Sequence, residues 1–445
     1  MDEKTRNNGA NSITRREVLK VFGIGIGAAA LAGCAPQPAQ PAAAPTKVPD
    51  PVVKEVVLRY QNHWTKETDA HFKGMEWLYK EFQAKNPSIK INNVLNPDSI
   101  ESYKKIVADC AAGDCPDIVH GPEPQMWESG YLLDLTSYID GDSAWKAILD
   151  TNTFFETGGH IWGLCGEFSP MPTIWNTRIL EAAGVSDIPK TWDEFLDVCD
   201  KVKSKGKIPT SWAVGGSHQW HNILKSLEGG MEALGQNQFD APQVKEAFAR
   251  MKVFVDNKWI PDNEIEITWQ QSVGLFVAEE TAFYLNGAWT LNNEIRGEGA
   301  APDLRDHVKF APYPAVGKNG TTAELKKTTS IGIASKVADD PDKLDAALKF
   351  LKFWFSEEGG KQWILLTQSP MGVKVDVNAL PGADPLLQAF LAAKDQADSP
   401  YALPGTKAMQ ERGWDDCWTG LQTLMAGKDV DQAMAAFQQE MLKYK

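Results

Sequence analysis

"EVVLRYQN" at residues 55–62 is followed by "HFKGMEWLYKEFQAKNP" at 71–87, "SIKINNV" at 88–94, "SIESYKKIVADCAAG" at 99–113 and "PDIVHG" at 116–121. The first segment sets Val57 and Leu58 among alternating positions and reads as a buried strand. In the second, Phe72, Met75, Tyr79 and Phe82 fall on one helical stripe that stops at Asn86–Pro87. The third is a short strand. The fourth carries Tyr103, Ile106, Val107 and Cys110 at helical spacing and ends at Gly113, and the fifth is a third strand. Strand, helix, strand, helix, strand predicts an α/β fold on an open, mainly parallel sheet. Ligands collect at the carboxyl ends of such strands, here "QNHWT" at 61–65 and "HGPEP" at 120–124.

A second α/β unit follows. "KTWDEFLDVCDKVKSKG" at 190–206 has Thr191 and Glu194 in capping-box spacing, an apolar stripe of Phe195, Leu196, Cys199 and Val202, and a stop at Gly206. Further helices are predicted at 241–259 and 340–364.

The N-terminal stretch "TRREVLKVFGIGIGAAALAGCAPQPAQPAAAP" at 14–45 is of another kind. Its apolar run, Val21 to Ala32, is too short to cross a bilayer core of ~30 Å. A basic stretch precedes it and small residues end it, the layout of an export signal. Arg15 and Arg16, with Val18, Leu19 and Lys20 behind them, resemble a twin-arginine signal. "Leu31-Ala32-Gly33-Cys34" resembles the bacterial lipobox, which implies acylation of Cys34. The proline-rich residues 34–52 read as a semi-extended tether. The expectation is a lipoprotein held at the outer face of the cytoplasmic membrane, in the periplasm if an outer membrane is present.

Formal net charge is −14, and residues 1–33 carry five basic and three acidic side chains, so the remainder is near −16. That balance repels nucleic acid and anionic lipid. Of six cysteines, Cys110 and Cys115 flank "AAGD" closely enough to pair at a helix end, and Cys199 reads as a buried thiol. Cys165 and Cys417 are left without an assigned partner.

Five further stretches, in order, carry a family likeness: "AAGDCPDIVHG" at 111–121, "GYLLDLTSYID" at 130–140, "TIWNTRILEAAGVSDIPKTWDEF" at 173–195, "LFVAEETAFYLNGAW" at 275–289 and "DAALKFLKFWFSEEGGKQW" at 345–363. Together they resemble the extracellular solute-binding proteins of ABC importers, the carbohydrate-binding family that includes maltodextrin-binding protein. Glu279-Glu280-Thr281 depart from that family's usual x-G-k. The resemblance implies a type II periplasmic-binding-protein fold, two α/β lobes joined by a hinge with the ligand in the cleft. It places crossings near 163–166, 329–332 and 371–373. Lobe one is then 53–164 plus 331–371, and lobe two 165–330 plus 372–445. It also implies a carbohydrate ligand, ABC permease subunits as partners and no enzymatic activity. The competing readings are a binding protein for a peptide, polyol or glycerol phosphodiester, and a secreted glycan-active enzyme.

Sugars offer flat C–H faces and a ring of hydroxyls, so a site needs aromatic platforms and planar hydrogen-bonding groups. Among sixteen tryptophans, Trp77, Trp192, Trp354 and Trp363 sit in helix patterns and read as core. Trp64, at the end of the first strand, and Trp289, after Gly287, are the leading platform candidates, followed by Trp175, Trp414 and Trp220. Glu123 and Glu167 are the leading carboxylates, with His63 and Asp415 as further candidates. No G-x-S-x-G, P-loop or H-E-x-x-H occurs. "HQWH" sets His218 and His221 three apart, but no flanking carboxylate or cysteine completes a zinc set, so no metal or other cofactor is expected.

Overall fold

The computed structural model describes residues 54–64, 69–96, 99–121, 124–297, 299–403 and 416–444. The strands among them are β1 (Val56–Asn62), β2 (Ile89–Leu95), β3 (Ile118–His120), β4 (Phe155–Thr157), β5 (His160–Met171), β6 (Thr173–Asn176), β7 (Phe283–Leu285), β8 (Val308–Ala311), β9 (Thr322–Ile333) and β10 (Ser399–Tyr401). The larger sheet has the order β2-β1-β3-β9-β5-β4, with β10 added to β9, and a smaller sheet has the order β7-β6-β8.

β1 runs parallel to β2 from Val56↔Ile89 to Asn62↔Leu95, and parallel to β3 at Tyr60↔Ile118. Helices Ala70–Lys85 and Ser99–Ala111 make the crossovers between them. The first begins where the Asp69 side chain accepts from the His71 N–H, and it buries Met75, Leu78 and Phe82. Beyond β3 the sheet turns antiparallel, through β3–β9 and β9–β5. The crossing placed near 329–332 is thus the end of β9, a strand that starts at Thr322 and holds Lys326 and Lys327 in its middle. The predicted capping box forms at Thr191 and Glu194, and Cys110 and Cys115 are disulfide-bonded. Cys165, Cys199 and Cys417 are buried outside this disulfide.

Two large cores lie on either side of this framework. One gathers Leu58, Phe82, Ile118, Ile331, Phe350 and Trp354, and the other Phe195, Trp212, Phe248, Phe283, Leu421 and Phe437. A third, around Ile174, Phe276, Tyr284 and Phe390, backs the smaller sheet. The architecture is two α/β lobes sharing β5 and β9. Ile331 and Ile333 of β9 belong to the first core, while Thr322 to Glu324 pair with β10, whose Tyr401 belongs to the second.

Between the lobes the β5–β9 register slips twice, between Cys165 and Glu167 and between Glu167 and Phe168. Such irregularities re-aim a side chain where a strand changes its work. A third segment joins there: Phe168 N–H donates to Pro370 O at 2.8 Å and Gly372 N–H to Cys165 O at 2.7 Å. A Cβ on Gly372 would lie 2.6 Å from Thr153 Oγ1 and 3.1 Å from Cys165 O, so the close approach requires glycine. Among the described residues, no helix is long and apolar enough to cross a membrane.

Candidate functional site

Asn62 ends β1, and its side-chain oxygen accepts from the Trp64 N–H at 2.9 Å, turning the chain so that the indole folds back over the sheet. Trp64 is 4% exposed. Its ring stacks on His71, centroids 4.9 Å apart and planes 19° from parallel, and meets His120 edge-on at 4.6 Å. Trp363 lies 5.4 Å away, and His63 stands 5.0 Å from His120. His63, Trp64 and His120 come from the strand ends and His71 from the first turn of helix Ala70–Lys85, the location that the parallel β-α-β order specifies, while Trp363 comes from helix Glu357–Thr367.

The charged part of the site is built around His71. Its Nε2–H donates to Glu167 Oε1 at 3.0 Å and its Nδ1–H to Asp69 Oδ1 at 3.2 Å. Burial opposes charge on this imidazole, but Glu167 and Asp69 overcome it and raise its pKa to about 10. Burial likewise works against ionisation of Glu167, and His71 outweighs it, holding the carboxyl below its usual range. The Thr328 hydroxyl also donates to Glu167, at 2.8 Å. An imidazolium is thus fixed between two carboxylates, with an indole on its face. His120 is the opposite case: burial, with His63 and His71 nearby, keeps it neutral.

Helix Trp289–Asn293, beside the smaller sheet, reaches this cluster from the other lobe. Asn293 Oδ1 accepts from the Ala70 N–H at 3.3 Å, and its Nδ2 donates to Asp69 Oδ1 at 3.5 Å. Next to it stands Glu294. Burial first, then the nearby Asp69 and Glu167, push its pKa up to about 8 against the opposing pull of His71. Glu294 Oε2 is buried with no hydrogen-bond partner. Trp289 is half-buried, its ring drawn so close over Gly287 that a Cβ there would sit 2.1 Å from it. The Ala288 N–H donates to Ser169 Oγ of β5 at 2.8 Å, which ties this loop to the strand shared by the lobes.

Of the sequence candidates, the structure brings Trp64, His63 and Glu167 into one group and sets Trp289 on the helix that contacts it. Trp175 and Trp220 are corrections. Trp175 is fully buried against Phe195 and Phe283, and Trp220 against Phe248 and Phe437, so both are core side chains of the second lobe. Trp220 lies inside a helix, Trp212–Ser226, that Gly215 and Gly216 conceal in the sequence. Glu123, Trp414, Asp415, Cys34, Arg15 and Arg16 lie outside the described residues. Asp69, His71, Asn293 and Glu294 were not anticipated. Asp69 caps helix Ala70–Lys85, and His71 is buried beside the Phe72, Met75, Tyr79 and Phe82 stripe read from the sequence, which does not include it.

An aromatic face, an imidazolium, three carboxyl groups and an amide can grip a polar, hydroxyl-bearing ligand through stacking and charge-assisted hydrogen bonds. Among known proteins, a multiple sugar-binding protein of Streptococcus mutans is 23% identical over 353 residues, covering 72% of this chain and 76% of its own length. Among solved structures, a chitin oligosaccharide binding protein superposes with a TM-score of 0.75 at 20% identity, covering 88% of this chain and 99% of that one. Maltose-bound MalE3 of T. maritima gives 0.68 at 19% identity, covering 87% and 99%. Residues 69–361 match the family described as bacterial extracellular solute-binding protein, and the chain belongs to that family.

Proposed function

We propose that this protein is the extracytoplasmic substrate-binding component of an ABC importer, and that it captures a sugar or oligosaccharide and delivers it to a membrane permease. The observation that carries this reading is the junction at Asp69 and Asn293, where groups from both lobes meet over Trp64, His71 and Glu167. A ligand held there touches both lobes only when they are closed, so binding energy drives hinge closure. The moving bodies are 53–164 plus 331–371 and 165–330 plus 372–445, bending where β5, β9 and residues 370–372 run side by side. Trp64 and Trp289 serve as platforms. Glu167 is a hydrogen-bonding carboxylate, with Glu123, Trp414 and Asp415 as further contacts. The sugar-binding names among its relatives favour a carbohydrate cargo.

Residues 1–33 act as a twin-arginine export signal through Arg15 and Arg16, Cys34 receives the lipid, and residues 34–52 form the tether. Replacing Cys34 by serine then releases the protein from the membrane fraction, and retention there would count against the anchor. The decisive test of cargo is thermal unfolding of the body from residue 53 against sugars, polyols and peptides. A ligand at 100 times its Kd stabilises by about 2.7 kcal/mol. A shift with one class of sugar, recovered unaltered afterwards, is the expected result. A shift with peptides alone would overturn the carbohydrate assignment, and conversion of the sugar would overturn the binding-protein reading.

A further inference from the structure

We propose a second site, a divalent metal site of the zinc class, inside the second lobe at His218, His221 and Glu324. The two histidines stand one turn apart on helix Trp212–Ser226, on the side that packs against β9. Glu324 belongs to β9, where it pairs with Met171 of β5 and Tyr401 of β10. His218 Nδ1 lies 2.8 Å from Glu324 Oε2 and His221 Nδ1 4.0 Å from the same oxygen. One ligand atom from each residue falls within 4.8 Å of the other two. Zinc at ~2.0–2.2 Å from nitrogen and oxygen ligands sets them roughly 3.4 Å apart in a tetrahedron, so His221 is drawn in and the His218–Glu324 pair opens a little, which side-chain rotation supplies.

Two further observations separate this cluster from an ordinary buried ion pair. First, His221 Nε2 is held by Asp416 Oδ1 at 2.9 Å. A metal-binding imidazole is oriented in this way, its outer N–H given to a carboxylate so that the other nitrogen presents its lone pair inward. His221 Nδ1 is that inward nitrogen, and it is buried without a hydrogen-bond partner. Second, Glu324 Oε1 and Asp416 Oδ2 are also buried without one, and both residues are 0% exposed. Three polar atoms left unmatched in one buried cluster are costly. A dication bound to two neutral imidazoles and Glu324, with Asp416 behind His221, matches the two negative charges. As the metal binds, His221 gives up the Nδ1 proton of its charged form to solvent and His218 keeps a single ring proton, so that both imidazoles are neutral. Lys326, two residues along β9, is the cation facing both imidazoles. A small ligand such as water completes a tetrahedron.

The site lies five residues along β9 from Thr329, the partner of Glu167, so roughly 16 Å of strand separates it from the sugar cluster. Its role is to pin helix Trp212–Ser226, β9 and the segment at Asp416 together, fixing the wall of the second lobe from behind.

The test uses the tag-free chain from zinc-supplemented culture, with metal content measured directly, followed by chelator treatment and titration with Zn2+. The expected result is one zinc per chain, a midpoint of thermal unfolding that falls with chelator and recovers with Zn2+, and a visible tetrahedral absorption band with Co2+. His221→Ala and Glu324→Gln each weaken Zn2+ binding at least 100-fold, and Asp416→Asn about 10- to 100-fold. Wild-type protein with substoichiometric zinc and no Co2+ band would overturn the proposal, a result that needs no variant to fold. Stoichiometric zinc retained by folded Glu324→Gln and His221→Ala would overturn it as well, by placing the metal elsewhere.

Discussion

Two buried histidine–carboxylate clusters sit on the two strands that the lobes share, Glu167 on β5 and Glu324 on β9, and they behave differently. At the cleft, one imidazole faces two carboxylates. Both His71 nitrogens are spent as donors, the ring keeps its proton to about pH 10, and Glu294 joins only because the second lobe closes over it. Behind β9, two imidazoles meet two carboxylates, Glu324 between them and Asp416 on the outer nitrogen of His221. Burial depresses His218 despite Glu324, whereas Asp416 and Glu324 raise His221 against the same burial. The lesson is one of connectivity: which nitrogens the carboxylates hold decides whether an imidazole has both spent as donors, as in His71, or keeps one unmatched, as in His221.

Removing one partner is the strongest way to break the contrast. Glu167→Gln strips the imidazolium of one counter-charge in a buried place, and a loss of about 3 kcal/mol is expected in chemical denaturation. A loss under 1 kcal/mol would mean that His71 is not charged there. Trp289→Ala is expected to cost about 2 kcal/mol of ligand affinity by calorimetry while leaving the unfolding midpoint unchanged. Unchanged affinity would remove Trp289 from the site.

The pH dependence separates the clusters further. Glu294 has its pKa raised from 4.5 to about 8 with the lobes together, so closure takes up a proton and is favoured at low pH. Ligand affinity should fall by at most tenfold per pH unit as pH rises toward 8, and Glu294→Gln should flatten that slope. A flat wild-type profile would contradict the link. For global stability the signs are opposed. The raised His71 pKa contributes fully below 6.5 and is lost as pH rises through about 10, whereas Glu324, lowered to about 2, contributes above 4.5 and is lost as pH falls toward 2. Glu167→Gln should therefore soften the alkaline limb and Glu324→Gln the acid limb of a stability-versus-pH curve. Smallest of all, Thr191→Ala removes a helix cap remote from both clusters and should cost about 1 kcal/mol with no change in ligand affinity.

The elements were legible where each is a local pattern: in the first lobe the apolar stripe at Met75 and Phe82 and the stop at Asn86–Pro87, in the second the capping box at Thr191 and Glu194. The strand-end location of Trp64 followed from the same order. The clusters were not legible, since their members are far apart in the chain. His71 and Glu167 are separated by 96 residues, His218 and Glu324 by 106, Asp69 and Asn293 by 224. "HQWH" looked incomplete because its carboxylate is supplied by a strand from another part of the sequence. Trp175 and Trp220 misled for a related reason: a tryptophan beside a turn or a glycine pair has the local look of a pocket wall, and only tertiary packing shows it to be core. Glu279 shows the converse. It stands in a left-handed backbone conformation, φ 60°, within the stretch that departs from the family's x-G-k. Its carboxylate accepts from Asn176 and Arg178 at 2.9 and 2.7 Å, contacts that a glycine could not make.

The long strand β9 also sets the order in which the chain can be built. Ile331–Ile333 pair with β3, and Glu324–Ile331 with β5, so the first sheet lacks its middle strand until residue 333 has left the ribosome. At ~5–20 residues per second, β3 waits roughly 10–40 s for that neighbour. During that time the β3 edge is unpaired, and an unpaired strand edge invites association with other chains. A nascent chain of this design is most exposed to such association between the synthesis of β3 and that of β9.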